Sequence, residues 1–221
     1  MSTHVRGTGG PQGERMPRHL RVVDRDWFAR DSVELAPLLL GAVLAHDTDE
    51  GRVALRISEV EAYRGVGEDP GSHAFRGMTR RNAVMFGEAA HLYAYFTYGM
   101  HVCLNVVAGT PGTSSAVLLR GGTVVEGLDL ARRRRPAASD RDLARGPARL
   151  SLALGVPLAA SGADLLAPPF SLAVPASPLE FAVGPRTGVS GAGGGAEFPW
   201  RFWIPGDAGV SPYRRHARSH D

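Results

Sequence analysis

The sequence predicts a single domain of mixed α/β (α+β) class, on three observations. Its 221 residues, 43% of them hydrophobic, suffice for one sizeable core rather than two. Segments that alternate apolar and polar side chains follow one another with turn residues between them, as antiparallel strands joined by hairpins do. The helical patterns are few and short, placed between the strands and after them.

Each element has a local reason. Residues 1–17, rich in Gly, Pro, Arg and Thr without periodicity, read as a disordered tail. Asp31 or Ser32 can accept from the free N–H groups that open a helix, which reaches about Leu40, and Gly41 can end it. A strand pair spans 42–46 and 52–61, joined by the polar turn "DTDEG". Within "LRISEVEAY", residues 55–63, a period of two puts Leu55 and Ile57 on one face together with Glu59, Glu61 and Tyr63. Carboxylates and a tyrosine where a core pattern calls for Val or Leu need a chemical reason. Residues 64–81 are a long Gly-rich loop carrying His73 and several arginines, of a length that is usually functional or disordered.

"HLYAYF", "TYGM" and "HVCLNVV" read as a hairpin with Gly99 in its bend. "SAVLLRG" is a buried strand ending on Arg120, 123–134 has a helical pattern, and "GPARLSLALG" is a compact helix with Pro147 in its first turn and Gly155 past its end. Residues 156–180, rich in Pro and Ala, carry little pattern. "FAVGPRTGVS" and "PWRFWI" are the last core segments, and 209–221 read as a flexible basic tail. There are no internal repeats.

Composition narrows the function classes. Cys103 is the only cysteine, which excludes an intramolecular disulfide, a four-Cys iron–sulfur cluster and a multi-Cys zinc site, and suits a reducing cytoplasm. The longest apolar run, beginning at Val33, is too short to span a bilayer, and the leader before it lacks signal-peptide character. Every one of the 25 cationic side chains is arginine, so no lysine amine exists to form a Schiff base. Arginine suits bidentate contact with phosphate, and a pI near 9.5 fits a polyanionic partner.

Glu59, Glu61 and Tyr63, His73 in the long loop, the tyrosines Tyr93, Tyr95 and Tyr98 about a hairpin, and Arg120 form one constellation. A carboxylate, an arginine able to orient water or phosphate, and aromatic faces able to stack on a base are what base excision requires. A metal site drawn from Glu59, Glu61, Asp69, His73, His91 and His101 would lack any compact ligand motif. No P-loop, dinucleotide fingerprint or Ser/His/Asp signature is present.

"SEVEAY", "SHAFRG", "TRRNAVMF", "HLYAYFTYGMHVCLNVV", "AVLLRG", "ARGPARL" and "GPRTGVS" followed by "PWRFWI" resemble, in order, the 3-methyladenine DNA glycosylase family of the alkyladenine type, over residues 19 to 205. The resemblance implies a single domain, 18–208, around a curved, largely antiparallel sheet with a protruding β-hairpin. It also implies a monomeric, cofactor-free and metal-free enzyme that flips alkylated or deaminated purines out of double-stranded DNA. Such an enzyme would work in the cytoplasm at the nucleoid.

By the same resemblance Glu61 is the general base that activates water for attack on the sugar C1′, and Arg120 and the Thr187 carbonyl help hold that water. Tyr63, His73 and Tyr95 enclose the flipped base, Asn105 crowds the exocyclic amine of normal guanine, and Tyr98 fills the gap left in the duplex. Arg76, Arg80 and Arg81 neutralise DNA phosphates. Arg80 stands where the family usually has proline, and Thr187 where it has an aliphatic residue.

Overall fold

The structure, a computed structural model, describes residues 19–97 and 99–220. The expected N-terminal tail, 1–17, and Tyr98 lie outside the described residues. In chain order the strands are β1 (Leu20–Arg21), β2 (Val43–Thr48), β3 (Gly51–Tyr63), β4 (Leu92–Thr97), β5 (His101–Ala108), β6 (Ser115–Glu126), β7 (Phe170–Pro175), β8 (Ala182–Gly184) and β9 (Arg201–Trp203). The α-helices are α1 (Ser32–Leu38), α2 (Leu128–Arg134) and α3 (Pro147–Leu154). The strands make one antiparallel sheet in the order β1-β7-β2-β3-β6-β5-β4, with β9 pairing β3 and β8 pairing β9.

Local chemistry explains the first elements. The Asp31 carboxylate accepts from Val33 N at 2.8 Å and opens α1. Gly41, at φ +81°, lets the chain leave the helix and enter β2, where a side chain would also strike Leu179. Leu35, Leu39 and Leu40 are fully enclosed, and burial of each leucine stabilises the fold by about 1.5–3 kcal/mol.

Strand β3 is the axis of the molecule. Its first half pairs with β2, from Thr48 opposite Gly51 to Val43 opposite Arg56, and its second half pairs along the same edge with β9, from Glu59 opposite Trp203 to Glu61 opposite Arg201. On its other edge β6 pairs from Ala54 to Tyr63, and the register slips three times, first at Val125, which is extra on β6 between the partners of Ala54 and Leu55. Ile57 faces Gly122 and Glu59 faces Gly121, so Ser58 is extra on β3; Val60 then faces Leu119, so Arg120 is extra on β6.

These paired bulges overturn the one-face expectation for 55–63. Val53, Leu55 and Ile57 enter the core, and after the bulge Val60 and Ala62 do, which puts Glu59, Glu61 and Tyr63 on the opposite face from Leu55 and Ile57. The apolar face never turns acidic. The extra residue changes which face is which.

Four further expectations are corrected. Arg120 sits within a strand rather than at its end, because the β-branched Thr123, Val124 and Val125 carry β6 on past Gly121 and Gly122 to Glu126. The helix expected over 123–134 therefore begins only at Leu128. The segment read as low in pattern contains β7, where Phe170, Leu172 and Val174 point into the core. Within 209–220, expected as a flexible tail, Gly209 and Ser211 pack on β3 and β6, with Ser211 7% exposed, while Arg214, Arg218 and Ser219 bond to the loop at 187–191 and most side chains from 212 on are exposed.

Candidate active site

Downstream of the bulges the sheet has two unlike faces. Val60 and Ala62 of β3, Leu92 and Ala94 of β4, Leu104 and Val106 of β5, and Val117 and Leu119 of β6 belong to the core. Their alternating neighbours look the other way, and Tyr63, Tyr93, Tyr95, Cys103, Asn105, Leu118 and Arg120 line a cavity of about 530 Å³. His73, Thr187, Met85, His101 and the residues at 146–149 complete much of its wall.

Glu61 lies immediately behind that wall with no exposed surface. Its Oε2 accepts from the Tyr63 hydroxyl at 2.8 Å and from Arg120 Nη1 at 3.2 Å, and its Oε1 accepts from Thr187 N at 2.6 Å. Glu59, equally buried, accepts through Oε1 from Arg120 Nε at 3.0 Å and from Arg201 Nε at 2.7 Å. Burial pushes the Glu59 carboxyl up, but Arg120 and then Arg201 outweigh it and hold the group below the ordinary carboxylate value. Burial opposes the charge of Arg120, yet Glu61 and Glu59 keep it firmly protonated. Burial of its hydroxyl, and then the neighbouring Glu61, push the Tyr63 phenol well up, so it stays a donor.

The aromatic wall is held by its own contacts. The Tyr93 and Tyr95 rings stack at 5.6 Å, and the His73 ring meets Tyr95 edge-on at 4.5 Å. His73 Nδ1 lies 3.1 Å from the Tyr93 hydroxyl. Packing against these rings, and then the Arg81 guanidinium, lower the His73 pKa and favour the neutral ring. Asn105 donates from Nδ2 to the Tyr93 carbonyl at 3.0 Å.

Two side chains that sequence reasoning gave no role hold the long loop. Asn82, buried, donates to the carbonyls of His73 and Gly77 at 2.9 and 3.1 Å, so His73 is presented from a clipped turn. Arg186 grips Asp69 through two contacts of 2.6 Å, both side chains having no exposed surface, and its guanidinium lies 4.5 Å from the Tyr63 ring centre. The signal for Asn82 was the motif "TRRNAVMF" itself. Asp69 and Arg186 are far apart in sequence, and no local pattern joins them.

Other sequence-picked residues are placed less centrally. Arg76, Arg80 and Arg81 are exposed on the loop, Arg81 donating to the Phe96 carbonyl at 3.0 Å. In the run at 132–135, Arg132 is paired with Asp129 and Asp140, Arg134 with Glu50, and Arg135 donates to the carbonyls of Asp142 and Leu143. The candidates of the metal reading are dispersed, with His91 beside Arg25, which itself pairs Asp164, and Asp69 taken by Arg186. Among the described residues no helix is long and apolar enough to cross a membrane.

Comparison with known proteins identifies the family. The family model described as methylpurine-DNA glycosylase matches residues 26–208. A protein of Leifsonia xyli subsp. xyli is 67% identical over 201 residues, covering 89% of this chain and 94% of its own length. One of Streptomyces avermitilis is 54% identical, covering 87% and 92%, and one of Nocardia farcinica is 48% identical, covering 90% and 95%. Each bears the name "Putative 3-methyladenine DNA glycosylase". With a family model spanning most of the chain and relatives this similar over nearly their whole length, the chain belongs to the methylpurine-DNA glycosylase family and is a DNA glycosylase, a hydrolase of N-glycosidic bonds.

Proposed function

We propose that the chain excises alkylated purines of the 3-methyladenine type, and deaminated purines, from double-stranded DNA by flipping the base into the aromatic cavity. The observation that carries this reading is the buried Glu61, bonded to three donors that all belong to residues lining the cavity. A carboxylate offers about four acceptor positions. Three are used, so the remaining one lies on Oε1, on the Thr187 side. A water held there, and by the Thr187 carbonyl, would give its proton to Glu61 as it attacks C1′. The Thr187 hydroxyl beside it is buried and has no hydrogen-bond partner among the described residues.

Alkylation at N3 or N7 puts positive charge on the purine and makes it a good leaving group. The protein's task is then to position water and to stabilise a cationic sugar, and one carboxylate serves both ends. Tyr63, His73 and Tyr95 would enclose the base, with Asn105 crowding a guanine amine. Tyr98 would occupy the vacated place in the stack, and Arg76, Arg80 and Arg81 would meet phosphates.

The product is an intact abasic strand, since cleavage through an imine needs an amine and the chain has no lysine. The protein acts as a monomer without cofactor on chromosomal DNA in the cytoplasm. Single-lesion duplexes carrying 3-methyladenine, 7-methylguanine or hypoxanthine, assayed for free base, test the reading. Base release without strand scission, indifferent to chelator, is expected; no release from any lesion, or a borohydride-trapped DNA adduct, would refute it.

A further inference from the structure

Beyond residue 208, where the family match stops, the chain turns back onto the site and touches it in two places. The first is Glu59. Ser211 N donates to Glu59 Oε2 at 2.6 Å, and the Ser211 carbonyl accepts from Arg201 Nη2 at 3.1 Å. The seat for this contact is made of glycine: a side chain at Gly121 would strike the Gly209 carbonyl, and one at Gly209 would come 2.7 Å from the Gly122 main chain. Arg145 Nε adds a hydrogen bond of 2.8 Å to the Val210 carbonyl. Glu59 is thus fixed from one side by Ser211 and Arg201 and in turn fixes Arg120, which touches Glu61.

The second place is the loop at 187–191, four of whose residues line the cavity. Gly188 N donates to the Arg214 carbonyl and Gly191 N to the Arg218 carbonyl, each at 2.9 Å, and Ser219 Oγ donates to the Val189 carbonyl at 2.6 Å. That loop begins with Thr187, whose N–H holds the other oxygen of Glu61. Both routes therefore end on the same carboxylate, one on each oxygen.

We propose that residues 209–219 are a positioning segment of the excision site, setting Glu61 through Glu59 and Arg120 on one oxygen and through the 187–191 loop on the other. Glu59 is the relay of the first route and a positioning residue. The proposal rests on the reading of Glu61 as the general base. A carboxylate displaced by a fraction of an ångström from its water loses rate, not affinity.

The experiment is single-turnover base release by the full chain with enzyme in excess, alongside duplex affinity and thermal melting. Ser211→Pro removes the N–H that holds Glu59, and Glu59→Gln weakens the relay. Each is expected to slow excision about tenfold or more while lesion-duplex affinity changes less than about threefold. Because Ser211 Oγ also accepts from Arg120 Nη2 at 3.5 Å, the two changes meet on Arg120, and the combined variant should lose less than the product of the two single losses. Ser219→Ala deletes one half-buried hydrogen bond; it should slow excision severalfold and speed amide exchange at Gly188 and Gly191.

Wild-type excision rates in folded Ser211→Pro, multiplied losses in the combined variant, or unchanged exchange and rate in Ser219→Ala would each overturn the proposal. If Ser211→Pro does not fold, Ser219→Ala decides. Absence of base release by the unaltered protein would instead sink the reading of Glu61, and exchange in Ser219→Ala would still report whether the segment clamps the loop.

Discussion

Two buried acid–arginine clusters stand on the same side of the sheet and are built differently. Asp69 and Arg186 face each other in a closed bidentate pair, and the remaining donors of Arg186 go to the Ala62 and Gly193 carbonyls while Asp69 also accepts from Arg64 N and Gly71 N. Arg120 instead divides itself between Glu59 and Glu61, at 3.0 and 3.2 Å, and borders the cavity. The difference separates a brace from a candidate working site. A saturated pair fixes backbone, here the 64–81 loop against the loop after β8, whereas a shared arginine leaves an acceptor position for something that arrives later.

The sharpest test of that comparison is Glu61→Gln, which keeps shape and removes the proton acceptor. Excision is expected to fall by about 10²–10⁴ with lesion-duplex binding still measurable. Asp69→Ala should act in the opposite currency: breaking a fully buried pair costs about 3–5 kcal/mol of stability, read as a lower Tm, with excision following only the folded fraction. If Asp69→Ala kept its melting point and lost its activity, the distinction between the clusters would be broken.

Titration separates them more gently. Glu59 is held below the ordinary 4.5, so the stability it lends is complete above that value and is lost as pH falls through the lowered one. His73, lowered from 6.5, prefers the neutral ring, so its contribution too is complete above 6.5 and is lost on the acid side. Melting temperature should be level above about pH 7, decline as pH falls below about 6.5 and decline further below about 4.5, and in Glu59→Gln the decline below about 4.5 should flatten. A decline on the alkaline side instead would reverse both assignments.

The smallest expected effect compares surface arginines. Arg80→Gln should reduce the salt slope of binding to undamaged duplex by about one, the signature of one lost phosphate contact. Arg132→Gln should leave the slope alone, because Asp129 and Asp140 already engage that side chain.

Much of this architecture was legible in the sequence because it is local. The hairpin of β4 and β5, the N-cap at Asp31 and the helix behind Pro147 follow from neighbouring residues. The cavity-lining set around Glu61 and Arg120 came through the resemblance rather than through periodicity. Periodicity failed at Ser58, because one extra residue inverts a strand and leaves no mark in an alternating pattern. It failed at Gly121 and Gly122 too, where glycines read as the end of a strand serve the close approach of Gly209. The Asp69–Arg186 brace and the Ser211–Glu59 contact join residues more than a hundred positions apart, and no window along the chain contains both partners.

The bulge at Ser58 also bears on which changes in the gene can be tolerated. Loss of that single codon would rephase everything after it on β3, turning Glu59 and Glu61 toward the core and Val60 and Ala62 toward the cavity. Loss of one codon in the turn between β2 and β3 would shorten only an exposed connection. Two deletions of equal length, fewer than ten positions apart, thus have opposite fates, and natural length variation in this region should collect at the turn and spare the bulge.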